Sequence, residues 1–348
     1  VRPCVLAARQ IISVKITSDI IEATEAAAIA ASRWIGSGEK ELADKAATEA
    51  MRKKLNSEIE IAGKVIMGEG EKDKSFGLFK GETVGKKAKV WESNGTTYRL
   101  RYGTKEPRWL DISVDPIEGT TQTVTSGPEA VSVMSVGCPS SMFYTEYYYM
   151  NRIAYGKKIK DKVELSLRNP LEENLRLVSE ATGKSTSELM VCVLDRPRHK
   201  KIINRLRELN VRVKLIKDCD IVGALASCLP TSDVDFVYGI GGSPEAVISA
   251  SAIQCLGGGM EAQIYDNNSS GREDPFFSTD EERWVPIGDI LHMGRLVSGP
   301  SAFAATGITD GTIFKGVKRT AGNIKTNSLF MRSDVRTMQW VNTVHLQK

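Results

Sequence analysis

The chain has 348 residues, of which 41% are apolar and 26% charged, and its formal net charge at pH 7 is +4. These proportions exclude a disordered, collagen-like or membrane-embedded polypeptide, and no apolar run approaches the length that crosses a bilayer. Lys and Arg are dispersed rather than gathered into a stripe, so no nucleic-acid partner is expected, and the length suits one large domain or two.

Residues 1–9 carry Arg2 and Arg9 but no acid, the composition of a targeting remnant, which leaves a plastid address open beside the cytoplasmic default. Residues 18–34 hold six alanines with Ile20, Ile21 and Ile29 and predict a closely packed helix, entered at a Ser18 cap and ended by Gly36 and Gly38. A second helix is predicted over 41–55, where Leu42, Ala43, Ala46, Ala47, Ala50, Met51 and Leu55 form one broad apolar face. Asp44 falls at the edge of that face, where a carboxylate must find a partner, ordinarily a lysine. Residues 65–67 predict a short buried strand leading into Gly68, Glu69, Gly70 and Glu71. There each glycine lets the backbone approach an ion and a carboxylate follows it.

Residues 110–121 read LDISVDPIEGTT. Leu110, Ile112 and Val114 alternate with Asp111, Ser113 and Asp115, the pattern of a strand with one apolar and one polar face, which Pro116 is expected to end. Asp115, Glu118 and the amides of Gly119 and Thr120 then gather at the strand's carboxyl end. Oxygens beside free N–H groups suit a hard cation together with a phosphate, although a solvated acidic turn has the same composition. Residues 130–136 predict a strand, and the aromatic run 143–149 a wall of strand or loop.

The lysine cluster at 156–163 suggests a boundary between an N-terminal metal-binding α+β subdomain, 1–158, and a C-terminal α/β substrate-binding subdomain, 159–348. Pro170 and Gly183 bracket a helix. Strands at 190–194, 211–216, 234–238 and 261–265 then alternate with helices at 199–209, 220–228 and 244–256, which implies α/β architecture with a largely parallel sheet in this half. Polar residues fall just past strand ends, where open α/β sheets hold ligands: Asp195, Arg196, Pro197 and Arg198, then Lys217, Asp218, Cys219 and Asp220, then 239–245. Arginines there can clamp phosphate, aspartates can accept from sugar hydroxyls, and the glycines expose amides at a helix start. Residues 267–289 read as a loop with at most one short helix, and 303–308, 312–317, 328–331 and 335–344 as closing strands.

Three histidines are too few for a zinc site built on imidazole, and the six cysteines show no metal-finger spacing, so any metal must take oxygen ligands in a reducing compartment. DPIEGTT at 115–121, GEGE at 68–71 and ADKAA at 43–47 resemble the class II fructose-1,6-bisphosphatases, including the dual fructose/sedoheptulose-bisphosphatases of photosynthetic organisms, with the motifs in the same order from residue 19 to 345. The resemblance implies the layered αβαβα sugar-phosphatase fold and removal of the C1 phosphate of fructose 1,6-bisphosphate. It makes Asp44, Glu69, Asp115, Glu118 and Glu245 ligands of Mn²⁺ or Mg²⁺, and Thr120 and Lys40 catalytic. It assigns Glu118, Gly119, Thr120, Tyr149, Arg196, Pro197, Arg198, Asp218, Cys219, Asp220 and Gly242 to substrate, and it implies a homo-oligomer, dimer or tetramer. The chain differs from the family's pattern at Lys74, Ser75 and Phe76, in a long basic stretch over 86–108, and around 127–129. Three alternatives stay open: a sedoheptulose-1,7-bisphosphatase or dual enzyme, an inositol-type monophosphatase, and a degenerate copy that binds sugar phosphate without turnover.

Overall fold

Small side chains set how the first helix packs. In the computed structural model, which describes residues 14–68, 76–88, 109–267, 273–279 and 282–346, helix α1 (Val14–Ala31) buries Ala23, Ala27, Ala28 and Ala31. Helix α2 (Lys40–Ser57) buries Ala43, Ala47, Met51 and Leu55 at helical spacing, and the two pack side by side. They lie over an eight-stranded sheet whose strand order is β12-β13-β11-β4-β3-β1-β2, with β14 paired to β13. Its strands are β1 (Gly63–Met67), β2 (Thr83–Val84), β3 (Leu110–Glu118), β4 (Val131–Gly137), β11 (Ser301–Gly307), β12 (Lys318–Thr320), β13 (Asn323–Arg332) and β14 (Thr337–Leu346). Among the described residues, only β1 and β3 pair in parallel within this sheet. Residues 1–13, 69–75 and 89–108 fall outside the description, and with them the targeting remnant, Glu69, Lys74, Ser75 and most of the basic stretch.

Two compact units divide the chain: Val1–Tyr144 with Gly299–Lys348, and Thr145–Ser298. The second holds a six-stranded sheet, order β10-β9-β5-β8-β6-β7. Its strands are β5 (Tyr149–Tyr155), β6 (Met190–Leu194), β7 (Arg212–Ile216), β8 (Phe236–Gly242), β9 (Gly259–Asp266) and β10 (Val285–His292). The sheet is mixed rather than largely parallel. β6 pairs in parallel with β7 and β8, while β5 runs against both β8 and β9, and β10 runs against β9. The four strands legible from β-α alternation therefore all point one way. The two that oppose them lie in an aromatic stretch and in a stretch carrying Pro286 and Gly288, where composition masks the strand pattern.

Helices α5 (Leu171–Thr182) and α6 (Lys200–Glu208) share one apolar core with Ile153, Val191, Val193, Phe236 and Tyr238. On the opposite face, α7 (Asp220–Ala226) brings Gly223 against Cys192 and packs on α8 (Ser243–Leu256). Shorter helices are α3 (Thr120–Val124), α4 (Lys157–Lys160) and α9 (Met293–Leu296).

Three local expectations are corrected. Pro116 does not end β3; the strand continues to Glu118, with a register shift against β4 between Asp115 and Glu118. Nor does β3 have a wet face. Asp111 and Ser113 are buried: the Asp111 carboxylate accepts the amides of Ser140, Ser141 and Met142 at 2.7–3.0 Å, and Ser113 Oγ donates to Met142 Sδ. Residues 312–317 are not a strand, whereas the short β12 follows them.

Candidate active site

The register shift in β3 decides where its acids point. Residues three apart on a regular strand face opposite sides of the sheet. Here Asp115 sits opposite Val133 and Glu118 opposite Val131, so three steps on β3 match two on β4. The extra residue is a bulge, taken up beside Pro116, which has no N–H to lose from the ladder. The bulge turns Glu118 to the side of Asp115, and their carboxylate oxygens come within 4.8 Å of each other. Glu118 is buried, and Asp115 Oδ1 also accepts the Ile117 amide at 3.0 Å.

Gly119 follows with φ 94° and ψ 50°, left-handed values that strain any residue with a Cβ. The chain reverses there into α3, whose first residue is Thr120. Thr120 Oγ1 donates to Asp44 Oδ1 at 2.8 Å, so the carboxylate on the edge of α2 accepts from a hydroxyl. One helical turn earlier, Lys40 Nζ donates to Thr121 Oγ1 at 2.9 Å. Two residues of α2 four apart thus meet two consecutive residues of α3. At the far end of α3 the amides of Gly36 and Gly38 bond Thr123 O and Val124 O at 3.0 and 2.9 Å.

The second unit carries the other candidate residues. After β6, Pro197 begins a short 3₁₀ turn, Pro197–His199. The Arg198 guanidinium donates from Nε and Nη2 to Ile240 O at 3.1 and 2.8 Å, and lies over the rings of Tyr149 (5.4 Å) and Trp284 (5.2 Å), which themselves meet edge to face. Burial lowers the Arg198 pKa. His199 is fully buried; Ile240 N donates to its Nε2 at 2.8 Å, which leaves the proton on Nδ1 for Leu194 O at 2.7 Å. Burial, reinforced by Arg198, pushes His199 down to about 3. The neutral imidazole therefore fixes Ile240, and Ile240 fixes Arg198. Arg196 stands more exposed, 3.9 Å from Asp218.

Cys219 adopts left-handed φ 63° before α7, and Asp220, the first residue of that helix, makes a buried ion pair with Arg152 of β5. The glycines of 239–242 prove to be the end of β8 rather than a loop, and each makes room for a neighbour. A Cβ on Gly241 would overlap Asp220 and Arg152, one on Gly242 would overlap the Glu245 carboxylate, and one on Gly239 would crowd His199 Nε2. Glu245 lies in the first turn of α8.

Arg152, His199, Thr121 and Trp284 went unread in the sequence. A lone arginine among the aliphatics of a short strand was the available signal for Arg152, since such a charge is buried only beside an acid. The others carry no pattern of their own.

Asp115 and Glu118 offer oxygen donors, the set that hard divalent cations prefer, whereas Asp44 does not fall within the same 4.8 Å group. On fold and donors together this is an α/β protein with an acidic site able to hold such an ion. Residues 14–345 match the family described as bacterial fructose-1,6-bisphosphatase, glpX-encoded, and the chain belongs to that family. Among its relatives, fructose-1,6-bisphosphatase class 2 of Haemophilus influenzae is 36% identical over 331 residues, covering 92% of this chain and 93% of its own. Fructose-1,6-bisphosphatase 1 class 2 of Escherichia coli K12 is 35% identical over 331 residues, covering 92% of each.

Proposed function

We infer that the protein is a metal-dependent sugar bisphosphatase that hydrolyses the C1 phosphate of fructose 1,6-bisphosphate to fructose 6-phosphate and phosphate. The observation that carries this is membership of the family over residues 14–345, joined to the acidic pair that the β3 bulge creates. Mn²⁺ or Mg²⁺ would be held by Asp115 and Glu118, with Asp44, Glu69 and Glu245 the other carboxylates that the resemblance assigns to metal. A divalent ion there supplies Lewis-acid charge to the phosphoryl oxygens.

The remaining work falls to the chain. Thr120 points its proton at Asp44, which leaves the oxygen's lone pairs to orient a water or to approach phosphorus. Lys40 adds positive charge one turn away on the same helix, within reach of a departing phosphate. Arg196 and Arg198, with Pro197, suit the distal phosphate as bidentate donors, and Asp218, Cys219, Asp220, Tyr149, Gly242 and Gly119 suit the sugar. Metal binding is assigned mainly to the N-terminal portion and sugar recognition mainly to residues after 145. No helix among the described residues is long and apolar enough to cross a membrane.

The test is phosphate release from fructose 1,6-bisphosphate with Mg²⁺ or Mn²⁺, abolished by a chelator and restored by either ion. Asp115→Ala and Glu118→Ala are each expected to remove activity; full turnover in either variant refutes the metal assignment. Turnover of sedoheptulose 1,7-bisphosphate and inositol phosphate beside it ranks the substrates, and binding without release would mark a degenerate enzyme.

A further inference from the structure

Among the described residues, the protein guards its sheet edges with one exception. An unpaired edge invites another strand, and natural proteins blunt it with charge, proline, a bulge or brevity. β2 is two residues long, and β12 is three residues, two of them Lys318 and Arg319. β7 carries Arg212 and Lys214; β10 carries Pro286, Gly288 and Asp289 and an irregularity in its register. β14 has ten residues, TMQWVNTVHL, with no Lys, Arg, Asp, Glu or Pro, and pairs along its whole length with β13 on one side only, among the described residues.

Its two faces differ. Val341 packs against the core, and His345 reaches inward to Thr326 Oγ1 (3.1 Å) and the buried Glu25 carboxylate (3.7 Å). The other face carries Met338, Trp340, Val344 and Leu346, exposed by 43, 43, 49 and 78%. Asn342 sits in the middle, where its side-chain carbonyl accepts from Asn327 Nδ2 at 3.0 Å. The stripe is symmetric about that residue, with apolar side chains two and four positions away on both sides.

We propose that β14 is a self-association edge, pairing antiparallel with β14 of a second copy of this chain about a two-fold axis through Asn342. A second copy fits better than an unrelated strand because the pattern reads the same in both directions. Antiparallel pairing about Asn342 sets Trp340 opposite Val344 of the copy and Met338 opposite Leu346 of the copy, aromatic on β-branched and apolar on apolar. The strand brings no charge to repel its image, and the two sheets join into one.

The full chain should sediment at no less than twice its 38.1 kDa mass. Val344→Lys, which sets an ammonium against the copy's Trp340, should halve that mass while leaving the circular dichroism spectrum unchanged. Independently, Asn342→Cys should form a disulfide-linked dimer on mild oxidation, because directly opposed residues have Cα atoms about 4.5–5.5 Å apart, within disulfide range. Lys201→Cys, exposed on α6, is the control and should not cross-link. A parent of single-chain mass overturns the proposal, as does an unchanged mass in folded Val344→Lys or an Asn342→Cys that cross-links no better than Lys201→Cys. Where Val344→Lys does not fold, the cross-linking decides.

Discussion

Asp44 illustrates what a sequence tells about a residue and what it withholds. A carboxylate on the rim of an apolar helix face announces that it needs a partner; the partner, Thr120, lies 76 residues away, and no periodicity reports it. Thr120→Val deletes the hydroxyl while keeping its shape, so kcat is expected to fall by about 10²-fold or more with little change in KM, the signature of a group that acts on the reacting atoms. An equal loss in kcat and rise in KM would instead mark Thr120 as a packing residue. His199 allows a separate test. An unfolded histidine titrates near 6.5, whereas the buried one holds its proton only below about 3. Between those values the unfolded chain binds a proton that the native protein refuses, so stability falls as pH drops through this window, by at most about 1.4 kcal/mol per pH unit. Urea titrations at pH 7, 6, 5 and 4 should show a shallower decline for His199→Gln than for the parent; equal slopes would remove His199 from the account.

At the level of elements, most of the helices and the parallel strands were readable because their signals are local: Pro170 and Gly183 do bracket α5, and 190–194 is a strand as expected. The β3 bulge was not readable, since a Pro between alternating residues predicts an end to pairing as well as it predicts a bulge. Deleting Ile117 leaves Asp115 and Glu118 two positions apart, so regular pairing with β4 still keeps both on one face. Calorimetry with Mn²⁺ should then show metal affinity retained, while thermal unfolding remains cooperative; lost affinity would mean that placing the two carboxylates on one face is not what makes the pair. In the second unit, Arg152→Met strands the Asp220 carboxylate in a buried setting and is expected to cost about 3–5 kcal/mol of stability. A urea midpoint within error of the parent would contradict that pairing.

Across the whole molecule, β-α alternation indicated α/β structure in the second half, but it could not show that the first sheet draws strands from both sides of the inserted unit. Residues 145–298 form their unit between β4 and β11, and β11 is the strand that closes the open side of β4. During synthesis the ribosome therefore releases every residue of the inserted unit before the strand that completes the earlier one. Until residue 301 emerges, β4 presents bare amides and carbonyls to any passing polypeptide. A message broken off near the codon for Ser298 yields a product whose later-made unit can settle while its earlier-made one stays open, so nascent-chain quality control meets its hazard at the earlier-made unit.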